Sequence, residues 1–261
     1  MPESHTVAKT AHVPRLFVLA GTNGAGKSSI GGATIRARGG QYFNPDEAAA
    51  RIREAQPHLS ATQANSAAWH EGKRLLQQAI AHGMDYNFET TLGGKSFSSL
   101  LKAAAEQGFE VRIWYVGLAS PEHHLARVKA RVRKGGHDIP EADIRRRFDQ
   151  SRLQLIELLP HVAELRVYDN SDEADPHQGK APRPRLLLHW QQTGMQSSGQ
   201  RTTAVLAPAT PQALADTPEW AKPVVMAALK LQASQAAKAQ AKPALAESPA
   251  NARPKRNRPA K

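Results

Sequence analysis

Residues 21–29 read GTNGAGKSS and follow the apolar run LFVLA. Gly21, Gly26, Lys27 and Ser28 fit the phosphate-loop pattern G-x-x-x-x-G-K-[ST]. Its glycines let backbone N–H groups approach phosphate oxygens, and the helix that follows adds the positive end of its dipole. In this pattern the lysine reaches the β- and γ-phosphates and the serine hydroxyl binds Mg²⁺. The pattern predicts a site for ATP or GTP with Mg²⁺, made by Gly21, Thr22, Asn23, Gly24, Ala25, Gly26, Lys27, Ser28 and Ser29.

Two carboxylates follow later predicted strands, Asp46 in YFNPD and Glu89 in NFETT. Ligands of parallel sheets bind at the carboxyl ends of the strands, so both are expected beside the phosphates. Asp46 is a candidate general base for an acceptor hydroxyl, and equally a candidate N-cap of the helix that follows. Glu89 would bind acceptor hydroxyls or a magnesium-bound water, unless it caps the next helix. No acidic residue follows the strand VRIWYVGLAS, so Ser28 with Asp46 or Glu89 would organise the metal.

Arginines concentrate in RVKARVRKGGHDIPEADIRRRF, where Arg131 and Arg133 precede a Gly-Gly-His turn. On the next helix Arg147 lies about 60° from the apolar Ile144 and Arg146 about 160° away, at 100° per residue. Arg147 is therefore expected to point inward and Arg146 toward solvent. The two helices are interpreted as a lid whose arginines stabilise the transferring phosphate. The alternative is a solvated basic surface, and at least two of the arginines are expected to be functional.

Histidines are assigned smaller roles. His137 follows two glycines and is expected to form loop hydrogen bonds rather than to take part in catalysis. His123 and His124 have no third ligand at an obvious spacing and predict no metal site.

Residues 14–176 alternate between predicted strands and helices, which indicates an α/β fold with a mostly parallel sheet flanked by helices. The predicted strands are RLFVLAG, QYFNPD, DYNFETT, FEVRIWYVGL and ELRVYDNS. The long helix predicted in LSATQANSAAWHEGKRLLQQAIAHG has Ser60 as its expected N-cap and Gly83 beyond its end, and Gly108 ends the next helix. Residues 1–13 are predicted to be flexible.

The net charge of +12 is unevenly distributed. Residues 180–261 contain 13 Lys and Arg against 3 Asp and Glu, whereas residues 1–179 contain 22 against 20. Residues 177–261 are also rich in Ala, Pro and Gln, which predicts a basic and largely disordered tail. Within it a helix after Pro223 would place Val224, Ala227, Ala228 and Leu231 on one face. Cationic segments favour phosphate backbones, so nucleic acid is a possible partner of the tail.

The chain contains no cysteine, so disulfides and thiolate metal sites are excluded. No apolar run approaches the roughly 20 residues of a membrane span, and the N-terminus lacks a signal-peptide pattern. The sequence predicts a protein without a membrane partner, most simply a cytoplasmic one.

Six segments, taken in order, resemble the zeta-toxin family of P-loop kinases over roughly residues 14–172. They are FVLAGTNGAGKSS, NPD, FETT, RVRKGGHDIP, EADIRRRFDQS and LRVYDNS. The resemblance implies a fold related to shikimate kinase and chloramphenicol phosphotransferase. It also implies transfer of the γ-phosphate of ATP or GTP to a sugar hydroxyl of UDP-N-acetylglucosamine. Many relatives are paired with an antitoxin protein, which this chain does not identify.

The resemblance also assigns roles by position. Asp46 matches the general base, Glu89 and Thr91 match contacts to the acceptor sugar, and Asn170 matches a residue near the nucleotide base. The two lid arginines match Arg131 or Arg133, and Arg146 or Arg147. Our assignment takes Lys27, Asp46, Arg133 and Arg147 as catalytic and Asp46, Glu89, Thr91 and Arg131 as acceptor-binding.

Two other functions fit the same residues. One is a P-loop kinase with a different acceptor, such as a nucleotide, a nucleic-acid end or another metabolite. The other is a non-catalytic protein that binds a nucleotide and a partner.

Overall fold

The structure is a computed structural model that describes residues 12–37, 42–172, 183–195 and 201–240. Its strands are β1 Arg15–Ala20, β2 Tyr86–Thr90, β3 Glu110–Gly117, β4 Glu164–Asp169, β5 Arg185–Met195 and β6 Arg201–Ala207. A π-helical segment, Ser28–Gly32, leads directly into α1, Ala33–Ala37. The other helices are α2 Pro45–Ala55, α3 Ala61–Ala81, α4 Lys95–Glu106, α5 Pro121–Arg133, α6 Glu141–Leu158, α7 Pro211–Ala215 and α8 Lys222–Gln240.

The six strands form one sheet in the order β2-β1-β3-β4-β5-β6. The first four strands of this order are parallel, and β5 and β6 are antiparallel. Parallel neighbours need crossover connections, and the chain has one or more helices after each of β1, β2 and β3. The predicted α/β class with a mostly parallel sheet is confirmed.

The core explains why the apolar runs became strands. Leu16, Val18, Ile113, Leu165 and Val167 are fully buried on the central strands. They belong to one cluster that also contains residues of α4, α6 and α8. Burial of each such side chain stabilises the fold by about 1.5–3 kcal/mol, which opposes the conformational entropy lost when the central strands become ordered.

The predicted helix boundaries have local causes. The Ser60 hydroxyl accepts from the Gln63 backbone N–H, and the Gln63 side chain accepts from the Ser60 N–H, so a capping box begins α3. Gly83 and Gly108 follow α3 and α4 with φ of 62° and 94°, the left-handed conformation that glycine adopts without strain.

QYFNPD was predicted to be a short strand, and this is corrected. Only Phe43 pairs, through a single parallel bridge to Phe88 on β2. Pro45 already begins α2, so the chain has no room for a longer strand. Gln41 lies outside the described residues.

The expectation of a disordered chain from residue 177 onward does not hold for residues 183–195 and 201–240. β5 pairs with β4, and β6 pairs with β5, so this segment completes the sheet. Trp190, Trp220 and Val224 are buried in the same core cluster as the central strands. We call residues 183–240 the C-terminal extension. The remaining residues predicted to be flexible or disordered, 1–11, 177–182, 196–200 and 241–261, lie outside the described residues.

The helix predicted after Pro223 is present as α8, one residue longer at its start. Val224 and Ala228 are fully buried, and Ala227 and Leu231 pack against the same cluster at partial burial. The helix therefore covers the core with the face that the sequence predicts.

Candidate active site

The segment after β1 forms a tight loop around three glycines. Gly21, Gly24 and Gly26 have φ of 134°, 81° and 89°. A Cβ at Gly21 would lie 2.1 Å from the carbonyl oxygen of Val116 on β3, so no larger residue fits there. The loop then enters the helix that begins at Ser28. This strand, loop and helix arrangement is the one that the phosphate-loop pattern requires.

Lys27, Ser28 and Glu89 form a buried cluster at the end of the loop. Lys27 Nζ lies 3.5 Å from Glu89 Oε1, with side-chain exposures of 7% and 9%. Ser28 Oγ donates to Glu89 Oε2 at 2.8 Å, and Asn44 Nδ2 donates to Ser28 Oγ at 3.4 Å. The structure therefore brings the predicted phosphate-binding lysine, the predicted metal-binding hydroxyl and the predicted rim carboxylate together.

Asp46 does not cap α2, although the sequence made it a candidate for that role. Asn44 is the N-cap, and its Oδ1 accepts from the backbone N–H groups of Asp46 and Glu47 at 2.9 and 3.4 Å. Asn is among the best N-cap residues, so the sequence did contain this signal. The Asp46 carboxylate is free of the capping role and accepts from Arg131 NH1 at 3.1 Å.

The arginines of the lid differ in position. Arg131 bridges the Asp46 carboxylate and the His137 carbonyl oxygen, 2.8 Å from its NH2. Arg133, which we assigned to catalysis, is exposed at the end of α5 and lines neither cavity described below. Arg131 is therefore the arginine of this pair that the fold places at the site. His137 does form a loop hydrogen bond, with Asn65 at 2.7 Å.

The α6 arginines follow the predicted geometry. Arg147 has a side-chain exposure of 25% against 54% for Arg146. Arg147 NH1 donates to Asn23 Oδ1 in the phosphate loop at 2.9 Å, and Asp143 accepts from both arginines. Burial lowers the pKa of Arg147, and the negative charge of Asp143 opposes this effect. Asp143 was not singled out from the sequence, because its role depends on a spacing of one helical turn to both arginines.

Asn170 lies beneath the loop rather than in a cavity. It is 4% exposed, its Nδ2 donates to the Ala25 carbonyl oxygen at 2.9 Å, and its backbone N–H donates to the Gly117 carbonyl oxygen. Arg127 NH2 donates to its carbonyl oxygen at 2.7 Å. These contacts position the phosphate loop. The contact of Asn170 to the nucleotide base that the resemblance implied stays a prediction.

Two adjoining cavities meet at this site. The smaller, about 230 Å³, is lined by the loop residues Asn23, Gly24, Gly26, Lys27, Ser28 and Ser29, together with Arg127 and Arg131. The larger, about 500 Å³, lies between α3, α4 and α6. The residues that line both are Asn23, Pro45, Asp46, Glu89, Thr90 and Thr91. Of the loop residues assigned to the nucleotide, Gly21, Thr22 and Ala25 line neither cavity.

Thr91 is held at the shared boundary by a residue that the sequence did not indicate. The Ser151 hydroxyl of α6 donates to the Thr91 carbonyl oxygen at 2.7 Å, and Thr91 Oγ1 accepts from the Gly93 N–H. Thr22 Oγ1 donates to the Arg147 carbonyl oxygen at 3.3 Å. The lid helix α6 is thus tied both to the loop and to the end of β2.

The phosphate loop also depends on a buried histidine. His124 is 1% exposed, and its Nδ1 lies 2.7 Å from the Asn23 carbonyl oxygen, which makes Nδ1 the donor. Burial lowers the pKa of His124 to about 4, and the charge of Lys27 contributes to the same shift. His124 is therefore neutral in the folded protein at neutral pH.

This shift predicts how stability depends on pH. The unfolded chain binds a proton at His124 below about pH 6.5, whereas the folded chain does so only near pH 4, so stability decreases as pH falls between these values. The contribution between pH 7 and pH 5 is about 2 kcal/mol. Urea unfolding at both pH values should show a smaller decrease for His124→Asn than for wild type. The exposed neighbour offers the control His123→Asn, and an equal decrease in all three proteins would contradict the prediction.

The mostly parallel sheet, the phosphate loop and the two carboxylates Asp46 and Glu89, each paired with a cation, are consistent with a P-loop kinase. The sequence model of the Zeta toxin family matches residues 3–180, and the chain belongs to this family. The resemblance seen in the motifs is confirmed. An uncharacterised protein of Haemophilus influenzae is 35% identical over 129 residues, which are 49% of this chain and 88% of that protein.

Two solved structures share the fold. The crystal structure of AvrRxo1-ORF1:-ORF2 with ATP matches with a TM-score of 0.52 and 17% identity, over 68% of this chain and 58% of that chain. This chain therefore spans less than two thirds of that protein. AvrRxo1-ORF1:AvrRxo1-ORF2 with sulphate ions matches with a TM-score of 0.54 and 16% identity, over 86% and 80% of the two chains.

The chain is an ATP-dependent kinase. The residues that line its smaller cavity, the phosphate loop with Lys27, suit a nucleotide triphosphate. Gly24 and Gly26, which have positive φ, line the smaller cavity, and Lys27 provides a buried cation there. In the part of the chain that the structure describes, no group of three or more acidic or histidine side chains could hold a metal ion. None of the helices described is long and apolar enough to cross a membrane.

Proposed function

We propose that this kinase transfers the γ-phosphate of ATP to a hydroxyl of a nucleotide sugar, with UDP-N-acetylglucosamine as the acceptor. The observation that carries the proposal is the shared boundary of the two cavities, which Asp46, Glu89 and Thr91 line from both sides. A phosphate in the smaller cavity and a hydroxyl in the larger one would meet there. The larger cavity, about 500 Å³, lies within the range of roughly 300–1,000 Å³ that is usual for small-molecule sites.

Each residue at the boundary has a distinct role in the proposal. Asp46 accepts the proton of the acceptor hydroxyl as it attacks, and Glu89 with Thr91 orients the acceptor. Lys27 and Arg147 neutralise the charge that develops on the transferring phosphate. Arg131, already beside Asp46, is the second lid arginine in this scheme.

Magnesium is proposed as the cofactor, with Ser28 as the side chain that holds it. Mg²⁺ prefers oxygen ligands and keeps several waters, so one hydroxyl beside substrate phosphates suits it. Ser28 Oγ faces the smaller cavity and lies 2.8 Å from Glu89 Oε2, which could bind one of those waters. When bound, the ion would neutralise charge on the phosphates.

Substitution of Asp46 by asparagine tests the general base. Asn44 remains as the cap of α2, so the fold should persist, while the proton acceptor is lost. We expect kcat to fall about 10²-fold or more for transfer from labelled ATP to UDP-N-acetylglucosamine. Asp149→Asn makes the same change at an exposed position of α6 and should retain the activity.

The acceptor is tested in the same assay by comparing UDP-N-acetylglucosamine, UDP-glucose and single-stranded oligonucleotide. Label on the oligonucleotide, or released only as phosphate, would overturn the acceptor assignment. An oligonucleotide acceptor would also show steep salt dependence. Membership in the zeta toxin family further supports a toxin activity that a partner antitoxin restrains, which growth arrest on expression of the active but not the Asp46→Asn protein would test.

A further inference from the structure

One further arginine of the lid helix α6 lies outside both cavities. Arg152 has a side-chain exposure of 17% and lines neither of them. A cation withdrawn from water to this degree destabilises the fold unless its donors are paired. Its Nε donates to the Phe148 carbonyl oxygen at 2.9 Å, its NH1 to the Trp220 carbonyl oxygen at 3.0 Å, and its NH2 to Asp149. Each nitrogen of the guanidinium therefore has a partner, and Trp220 is the partner that lies outside α6.

Through Trp220, the C-terminal extension holds α6. Trp220 lies in the turn before α8, where backbone N–H groups donate to the carbonyl oxygens of Pro218 and Ala221. The Trp220 carbonyl oxygen lies between these two acceptors along the chain, and Arg152 supplies its donor. A hydrogen bond from a charged donor is stronger than one from a neutral donor, so this contact fixes α6 against the extension.

The guanidinium of Arg152 also lies over the ring of Phe148, one helical turn earlier, with 4.2 Å between Cζ and the ring centre. The same ring meets the buried imidazole of His124 edge to face, with 5.7 Å between the centroids and 69° between the planes. His124 in turn donates to the Asn23 carbonyl oxygen in the phosphate loop. Arg152, Phe148 and His124 thus form a continuous path of contacts from the extension to the loop.

The same turn of α6 carries the lid arginine that faces the phosphate loop. Arg147 directly precedes Phe148, and its NH1 donates to Asn23 Oδ1 at 2.9 Å. Asn23 lines both cavities, so the position of this turn sets how Arg147 approaches the phosphates. Geometry of this kind matters for catalysis, since a displacement of about 1 Å can reduce a rate about 10²-fold.

We propose that Arg152 is a positioning residue for phosphoryl transfer. It anchors the turn of α6 from Arg147 to Arg152 to the C-terminal extension, and so fixes where Arg147 meets the transferring phosphate. The inference rests on the proposed function for the role of Arg147, and it does not depend on the identity of the acceptor. It also gives a role in catalysis to residues 183–240, which lie beyond the family match over residues 3–180.

A double-mutant cycle of Arg152→Met and Arg147→Met in the full chain tests the inference. Label from ATP is followed both to UDP-N-acetylglucosamine and to water, so the cycle can be measured on either reaction. We expect Arg152→Met to lower kcat about 10-fold and to change KM for ATP less than about twofold, because Arg147 acts on the transition state. In the Arg147→Met background, the same change should lower kcat less than about twofold, because the group that Arg152 positions is absent.

Arg145→Met is the matched control on the same helix. Arg145 is 46% exposed and pairs with Glu122 and Glu141 at the surface. Its loss should leave kcat within about twofold of wild type. Circular dichroism sets the assay temperature, at which every variant must be folded. If Arg152→Met does not fold, Arg152→Lys takes its place in the cycle and should show the same coupling, since lysine keeps a charged donor but lacks the planar group.

The outcomes separate the inference from the proposed function. Wild-type kcat in Arg152→Met, or single losses that multiply in the double variant, would overturn the inference and leave the proposed function standing. Wild-type kcat in Arg147→Met would overturn the proposed role of Arg147 and the inference with it. Transfer to water alone would overturn the acceptor, and the cycle measured on that reaction would decide the role of Arg152. Absence of any transfer by wild type would overturn both proposals.

Discussion

Replacing Trp220 with alanine is expected to lower the free energy of unfolding by about 3–5 kcal/mol. Trp220 lies in the C-terminal extension and is 4% exposed. Its ring packs on Gly117 at the end of β3, where an added Cβ would lie 2.3 Å from the ring, and its centroid is 6.2 Å from that of the buried Tyr115. A loss of this size is a large part of the roughly 5–15 kcal/mol that stabilises a typical domain.

The position of Trp220 should also couple the extension to activity. The Gly117 carbonyl oxygen accepts from the backbone of Asn170, whose side chain supports the phosphate loop at Ala25. Two residues, Gly117 and Asn170, thus connect Trp220 of the extension to the loop. We expect Trp220→Ala to lose kinase activity at temperatures where wild type retains it.

Urea unfolding followed by circular dichroism measures the effect. Trp69→Ala removes the same side chain from a site that is 38% exposed and lies outside the core clusters, so it should cost less than Trp220→Ala. Equal costs at the two positions would show that the extension does not share the core of the kinase domain. Deletion of residues 241–261 is a second comparison, since it leaves all of the extension in place.

Substitution of Lys27 by alanine should reduce kcat/KM for ATP by about 10⁴-fold, since one cation contributes both to phosphate binding and to the transition state. Lys27 is buried with Glu89 and has no other carboxylate within ion-pair distance among the residues that the structure describes. No neighbouring lysine can take its place in the smaller cavity, whose other cations are Arg127 and Arg131.

Label transfer with Mg²⁺ and ATP measures this loss, and Lys102→Ala at an exposed position of α4 is the matched control. Thermal unfolding without nucleotide should accompany the assay, because loss of Lys27 leaves Glu89 buried without its cation. A Lys27→Ala protein within about tenfold of wild type would contradict the role of the loop.

Much of the kinase fold could be predicted because its signals are local. The apolar run before Gly21, the capping box at Ser60 and the glycines at 83 and 108 each fix a boundary without help from distant residues. Glu89 and the phosphate loop lie at one edge of the sheet because β1 and β2 are parallel. Asp46 lines the same cavity although the strand predicted before it does not form, since the bridge of Phe43 to Phe88 holds the chain beside β2.

The two strands of the C-terminal extension were missed because their signals are tertiary. LLLHW and TTAVLA are short runs within a stretch rich in Ala, Pro and Gln, and the composition of the whole stretch predicts disorder. LLLHW becomes part of β5 because it pairs with the free edge of β4 and buries Leu188 and Trp190 in the core. TTAVLA becomes part of β6 because it pairs with β5. Neither Asn170 nor Arg133 lines the two cavities, because a motif gives only the position along the chain and packing decides whether a side chain reaches a cavity.

The pair between Lys27 and Glu89 has a consequence for the order of events in catalysis. Before nucleotide enters, this cation and this anion cancel each other, as do Arg131 and Asp46. An incoming triphosphate must separate Lys27 from Glu89. Its binding free energy is therefore the attraction between Lys27 and the phosphates minus the lost attraction between Lys27 and Glu89, and it is smaller than an unpaired lysine would provide. In the proposed function, the same exchange would release the Glu89 carboxylate for the acceptor or for a water on the metal. Arrival of the donor thereby prepares the acceptor side, and occupancy of the two cavities should be positively cooperative.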